Sequence, residues 1–193
     1  MDNYIDLKIL PDFEFKTSML MNALFSKFHR VLVEIESSNI AVSFPNYGIN
    51  EIGKKDQCLG NVMRIHGEKI SLELLMDKNW LKGMSDHIFK SEITKVPDTS
   101  KFISVRRAQN KYSNIEKLRR RYMSRHNVTY EEAERLYPES LVKRVKLPFV
   151  RIKSSSTGEL FPLFIEQKEG ELNSSSRGFN CYGLSKDASL PLF

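Results

Sequence analysis

Along residues 4–10 the chain reads YIDLKIL, with Ile5, Leu7 and Ile9 separated by Tyr4, Asp6 and Lys8. A period of two is that of a strand with one buried face, and Pro11 ends it. From Thr17 the period changes. Leu20, Leu24, Phe28, Val31, Leu32 and Ile35 recur at helical spacings, which predicts an amphipathic helix of about five turns. NIAVSF and NVMRIHG then read as two strands separated by a turn-rich segment. SLELLMDKNWLKGM follows, presenting Leu72, Leu75, Met76 and Trp80 as one helix face, and IFKSEITKV returns to alternation. The predicted order is βαββαβ, a split, ferredoxin-like arrangement that ends near Pro97.

Beyond Pro97 the pattern is different. FISVRRAQ reads as a strand or an extended linker, and two helices follow, each opened by a capping box: Ser113 with Glu116, then Thr129 with Glu132. After Pro148, FVRIKSSSTGELFPLFIEQ reads as a β-hairpin around a Ser/Thr/Gly turn, and GFNCYGLS as a last strand. The expected fold is α+β: a ferredoxin-like domain over 1–97 and a smaller α+β domain over 98–193 that carries an arginine-rich helix.

Composition narrows the partners. The 193 residues are 40% hydrophobic and 28% charged, and 30 Lys and Arg against 24 Asp and Glu leave a formal charge of +6, which favours an anionic partner. Cys58 and Cys181 stand far apart, with neither a disulfide framework nor zinc-knuckle spacing. No signal-like N-terminus or membrane-length apolar run is present, so a reducing cytoplasm is the expected location. His66, His87 and His126 have no metal-ligand spacing with either cysteine, and no acidic cluster suggests a two-metal nuclease. No metal or cofactor is therefore expected.

The positive charge is concentrated in EKLRRRYMSRH, residues 116–126. On a helical wheel Lys117, Arg120, Arg121, Ser124 and Arg125 share one arc, Ile115, Leu118, Tyr122 and His126 share the other, and Arg119 falls near the apolar edge. A solvated charged face normally interleaves acids for i,i+4 support, and this helix offers only Glu116. Arginine forks suit phosphate oxygens and guanine edges, so the arc fits an RNA groove. The split βαβ order is shared with RRM domains, but their aromatic RNP1 pattern is missing, so base stacking on the sheet face is not supported.

LFSKFHRVL, LRRRYMSRH, LPFVRIKSSSTGELFPLF and GFNCYGLSKDASLPLF occur here in an order that resembles the type I-F CRISPR RNA-processing endoribonucleases. The resemblance runs from the first strand to Phe193 and is weakest over 46–60. It implies an enzyme whose arginine-rich helix enters the groove of a CRISPR repeat hairpin. Cleavage is then at the 3′ base of that stem, and the enzyme stays on the product RNA as a subunit of a surveillance complex. By the same resemblance His29 is the general base, with Ser154 and Tyr182 completing the catalytic set. Arg107 and Gln109 match residues that read bases beside the scissile bond, and Phe161 an aromatic under the closing base pair. Lys117, Arg120, Arg121, Arg125 and His126 complete the RNA-binding set. Ser124 stands where the family helix often has a further base.

The chemistry is consistent with these residue types. RNA carries its own nucleophile in the 2′-OH, histidine accepts a proton near neutral pH, and a serine hydroxyl can hold the 2′-OH in line. Two other readings remain: a non-catalytic hairpin-binding subunit that kept the helix and lost turnover, and a general DNA-binding protein supported by charge alone.

Overall fold

The computed structural model describes residues 1–98, 101–109, 114–142, 145–154, 157–172 and 178–193. By contacts the chain groups into two compact units, Met1–Ala108 with Leu147–Phe193, and Gln109–Lys146. This cuts the chain differently from the 97/98 boundary read in the sequence, because strands on both sides of Pro97 bury side chains in one shared core.

The larger unit opens with β1 (Asn3–Ile9), whose Ile5, Leu7 and Ile9 are buried as their alternation requires. Helix α1 (Thr17–Glu34) follows, and it buries Met21 and Phe25 in addition to Leu20, Leu24, Phe28, Val31 and Leu32, a broader stripe than the heptad-like spacing marks. Then come β2 (Ala41–Ser43), β3 (Val62–Gly67), α2 (Lys69–Asp77), β4 (Ile88–Lys90) and β5 (Thr94–Lys95). The strands form an antiparallel sheet in the order β2-β3-β1-β4, with β5 also paired to β1. Within it Asp6 and Arg64 are register partners on β1 and β3, joined by two hydrogen bonds of 2.7 and 2.9 Å.

Two elements differ from the sequence pattern. Helix α2 stops at Asp77, and Asn79 turns into the left-handed region (φ 48°), so Trp80 reaches the core from the following turns and not from the helix. IFKSEITKV is not one strand. Leu7 faces Lys90 and Tyr4 faces Thr94, so one extra residue is taken up opposite β1, a bulge around Ser91 whose Oγ accepts the Asp6 N–H.

The second sheet consists of β6 (Phe102–Ala108), β7 (Phe149–Lys153), β8 (Leu160–Gly170) and β9 (Ser189–Pro191), antiparallel in the order β7-β8-β6-β9. FISVRRA is thus a strand, since Ile103 and Val105 bury one face. Ile152, Leu163, Ile165 and Leu190 join them in the core shared with α1 and the first sheet. Gln167 ties the sheets together: its Oε1 accepts the Phe44 N–H and its amide nitrogen donates to the Phe44 carbonyl, each at 2.9 Å. GFNCYGLS is not the last strand. Gly183 has φ 69°, which closes residues 180–184 into a turn, and the strand comes later at Ser189–Pro191.

The smaller unit holds α3 (Ile115–His126), α4 (Tyr130–Leu136) and a single 3₁₀ turn at Glu139–Leu141. Ser113 lies outside the described residues. The N-cap of α3 is Asn114, whose Oδ1 accepts the Lys117 N–H. At α4 the capping box of Thr129 and Glu132 is present with both its hydrogen bonds. Among the described residues no helix is long and apolar enough to cross a membrane.

Candidate functional site

Phe28 is buried at the centre of α1, and His29, the next residue, emerges half-buried at its margin. Its Nδ1 lies 2.8 Å from the backbone carbonyl oxygen of Cys181. A carbonyl can only accept, so Nδ1 carries the proton and donates it. In the neutral ring Nε2 then holds the lone pair. The imidazole is thereby set up as a proton acceptor at one defined atom.

Tyr182 covers the ring. Its phenol stacks on His29 with centroids 4.2 Å apart and planes 20° from parallel. Burial pushes the Tyr182 phenol pKa up, the nearby Cys181 thiol adds to this, and Arg107 works against it. Arg107 lies on the face of β6 that carries Ile103 and Val105, and Phe161 on the face of β8 that carries Leu163 and Ile165. Both therefore continue core-facing rows outward, to where the rows lose their apolar cover. There the Arg107 guanidinium lies over the Phe161 ring, 5.9 Å from its centroid. Four of the residues singled out in the sequence thus fall into two contacting pairs, His29 with Tyr182 and Arg107 with Phe161.

Ser154 sits where β7 enters the hairpin. Its N–H donates to the Glu159 carbonyl at 2.8 Å and its Oγ accepts the Thr157 N–H at 3.2 Å. The hydroxyl thus has a fixed place on the hairpin that also carries Phe161. Gln109 is exposed, just past the end of β6.

Missing from the sequence reading are the parts that hold the imidazole. The Cys181 carbonyl is a backbone group and has no side-chain signature. Gly183 had one, because a glycine after a Tyr in a strand pattern marks a turn or a close approach. A Cβ there would stand 3.0 Å from Phe28 Cε1 and 3.2 Å from the Val42 nitrogen. Among the described residues no group of three His, Cys, Asp or Glu side chains clusters as metal ligands.

In the smaller unit, Lys117, Arg120, Arg121, Ser124 and Arg125 line one shallow concavity on α3. Every one of them is exposed. His126 lies off this face, its ring 4.3 Å from that of Tyr122. Arg119 is 1% exposed and faces the other way. Its Nε donates to the Tyr137 carbonyl at 3.0 Å, one terminal nitrogen reaches Glu116 at 2.7 Å and the Tyr130 hydroxyl at 2.8 Å, and Glu134 is 3.3 Å away. One arginine thus fastens α3 to α4.

Residues 4–193 match the family model of CRISPR-associated proteins called Cas_Csy4. The chain belongs to the Csy4 family. Two curated relatives of this family align with the whole of it, each also over its own full length. One is the CRISPR-associated endonuclease Cas6/Csy4 of Pseudomonas aeruginosa (strain UCBPP-PA14), 39% identical over 193 residues. The other is the CRISPR-associated endonuclease Cas6/Csy4 of Escherichia coli (strain UTI89 / UPEC), 36% identical over 193 residues. The Csy4 match includes both the His29 group and the basic helix, so neither is an appendage to the family's fold.

Proposed function

We propose that this Csy4-family chain is a CRISPR-associated endonuclease acting on RNA, which binds a CRISPR repeat stem-loop and cleaves at the 3′ base of the stem without a metal ion. The observation that carries this reading is the His29 geometry: Nδ1 donates to the Cys181 carbonyl at 2.8 Å, leaving Nε2 as the proton acceptor under the Tyr182 ring. In the reaction the 2′-OH gives its proton to Nε2, the 2′-oxygen attacks the adjacent phosphorus, and the bond to the 5′-oxygen breaks. The leaving 5′-oxygen takes up a proton from solvent, and the imidazolium returns its proton to solvent. The products are a 2′,3′-cyclic phosphate and a 5′-OH end. Ser154 holds the 2′-OH in line, while Arg107 and Gln109 read bases beside the cut and Phe161 stacks beneath the closing pair.

The exposed cations of α3, Lys117, Arg120, Arg121 and Arg125, supply most of the affinity by contacting phosphates in the stem groove, with His126 at the helix end. Strand order and the two helices of the first part support a ferredoxin-like scaffold for His29, with the residues beyond 97 supplying the RNA contacts. Affinity placed outside the reacting group keeps the enzyme on its product. The proposed setting is the cytoplasm, as a subunit of a CRISPR surveillance complex.

The test is cleavage of a repeat hairpin by the wild type and by His29→Ala, each with and without a chelator, together with a substrate carrying a single 2′-deoxy at the cut. Wild type cleaves equally with chelator. His29→Ala binds the hairpin but loses about 10²- to 10⁴-fold in rate, the usual contribution of a positioned base, and the deoxy substrate stays intact. Cleavage of the deoxy RNA, or dependence on a metal, rules out the internal-nucleophile mechanism. Tight binding with no cleavage by the wild type identifies a hairpin-binding subunit.

A further inference from the structure

The Cys181 carbonyl and the Tyr182 phenol both meet the His29 ring, and both belong to one turn. That turn is built around the residue just before them. The Asn180 side-chain oxygen accepts the N–H of Tyr182 at 2.8 Å and the N–H of Leu184 at 3.3 Å. Its backbone carbonyl accepts the Gly183 N–H at 2.8 Å, and its own N–H donates to the Leu184 carbonyl at 3.0 Å. Four hydrogen bonds thus converge on a residue that is itself exposed. An exposed asparagine that spends its side chain on two backbone donors is an Asx-type brace, and it has no packing role to explain it.

The brace is also anchored at both ends. The Phe179 N–H donates to the Ser38 carbonyl at 2.8 Å, and the Val42 N–H donates to the Gly183 carbonyl at 3.0 Å. Ser38 lies between α1 and β2, and Val42 lies within β2. The turn is therefore registered against the same α1–β2 segment that carries His29. Between those anchors, the peptide of Cys181 and Tyr182 is oriented chiefly through the Asn180 side chain.

We propose that Asn180 is a positioning residue of the His29 site: by bracing the 180–184 turn it aims the Cys181 carbonyl at Nδ1 and so fixes which imidazole nitrogen is free to take the proton. This rests on the reading of His29 as the general base. The tautomer of a histidine is set by the hydrogen bond its other nitrogen makes, so a carbonyl held at 2.8 Å keeps the lone pair on Nε2. Once the Asn180 side chain is removed, the carbonyl swings away from Nδ1. The ring then samples both tautomers and both orientations, and only a fraction of molecules present a base at the right atom.

The experiment compares Asn180→Ala, which removes the acceptor, with Asn180→Asp, which keeps an oxygen in the same place. Three readouts are taken on the folded protein: the single-turnover cleavage rate, the hairpin Kd, and the ¹⁵N shifts of the His29 ring nitrogens. In the wild type Nδ1 is protonated and Nε2 is not. Asn180→Ala slows cleavage by about ten- to a hundredfold, the scale of a misplaced catalytic group, with Kd unchanged and His29 in mixed tautomers. Asn180→Asp restores both the rate and the single tautomer.

A merely structural role would lower the melting temperature without mixing the tautomers. If Asn180→Ala folds, keeps the wild-type tautomer and cuts at the wild-type rate, the assignment is overturned while His29 keeps its role. If His29→Ala itself cuts normally, the base assignment fails first. Should Asn180→Ala not fold, Asn180→Ser, with a shorter acceptor, takes its place under the same readouts. A wild-type ring protonated on Nε2 overturns the proposal without any variant.

Discussion

Nδ1 of His29 stands 2.8 Å from the carbonyl oxygen of Cys181, a residue 152 positions further along the chain. The contact joins α1 to a turn that lies between β8 and β9 of the second sheet. The Tyr182 ring closes the other side of the imidazole, which makes the turn a two-point clamp.

The clamp predicts that Tyr182 acts through its ring more than through its hydroxyl. Burial, reinforced by the Cys181 thiol and opposed by Arg107, raises its pKa, so the phenol keeps its proton near neutral pH. Tyr182→Phe keeps the stacked face and cleaves within a few-fold of the wild type. Tyr182→Ala frees the ring and loses on the order of a hundredfold in single-turnover rate, with hairpin affinity unchanged. Equal losses in the two variants would assign the role to the hydroxyl.

Gly183 offers a second handle on the clamp. At φ 69° a side chain is strained by itself, and here its Cβ would also press on Phe28 and the Val42 nitrogen. Gly53 has φ 74° with nothing within 4 Å, so it carries the strain alone. Gly53→Ala costs roughly 1 to 2 kcal/mol in denaturant unfolding. Gly183→Ala costs more and also slows cleavage, because relief of the contact moves the Cys181 carbonyl. If both variants unfold at the same denaturant concentration and cleave alike, the close approach carries no energy.

Much of this arrangement was legible in the sequence, and what was not has physical reasons. The alternation of Ile5, Leu7 and Ile9 and the spacing of Leu20, Leu24 and Phe28 mark β1 and α1, because each element buries a single face. The bulge at Ser91 was invisible, since inserting one residue opposite β1 leaves an apolar pattern on either side of it. Helical phase separated Arg119 from Arg120 and Arg121, but its partners Tyr130, Glu134 and Tyr137 lie on and after the next helix and share no period with it. His29 and Tyr182 were singled out by resemblance. What orients the His29 ring is the backbone oxygen of Cys181, a group present at every position and therefore unmarked at any.

His66 predicts a pH dependence of stability. It is fully buried, with Nε2 2.8 Å from the Ser43 hydroxyl, and burial first, then Arg64 and the N-terminal charge, lower its pKa to about 3. An unfolded histidine titrates near 6.5, so between about 6.5 and 3 the unfolded chain binds a proton that the folded chain refuses. The stabilisation is complete above about 6.5 and is lost progressively as pH falls toward 3, by at most about 1.4 kcal/mol per pH unit. Asp12 and Glu166, whose carboxyls are held below their ordinary range, add their own losses only at lower pH. Denaturant midpoints at pH 7.5 and pH 5 should therefore differ in the wild type, and the difference should shrink in His66→Gln. An unchanged difference in that variant would assign the acid sensitivity to other groups.

The two kinds of arginine on α3 should separate cleanly. Arg119 is buried among the Tyr137 carbonyl, Glu116, Tyr130 and Glu134, whereas Arg120 and Arg121 line the exposed concavity with Lys117 and Arg125. Arg119→Ala leaves those acceptors without their shared donor, so it lowers the melting temperature and the helical circular dichroism. Its RNA affinity falls only as far as the helix pair loosens. Arg120→Ala and Arg121→Ala leave the melting temperature unchanged and weaken hairpin binding. Each also flattens the plot of log K against log salt by roughly 0.9 per lost phosphate contact, a B-DNA value carried to a short RNA stem as an approximation. Glu116 is paired with Arg119, and among the described residues no acid lines the concave face beside these cations, so their charge is available to phosphate. The ordering is the sharp outcome: loss of stability at Arg119, loss of salt-dependent affinity at Arg120 and Arg121. Equal affinity losses at Arg119 and Arg121 with unchanged folding would mean that the helix docks by its other face, and an unchanged salt slope at Arg120 and Arg121 would make the concavity a solvated surface.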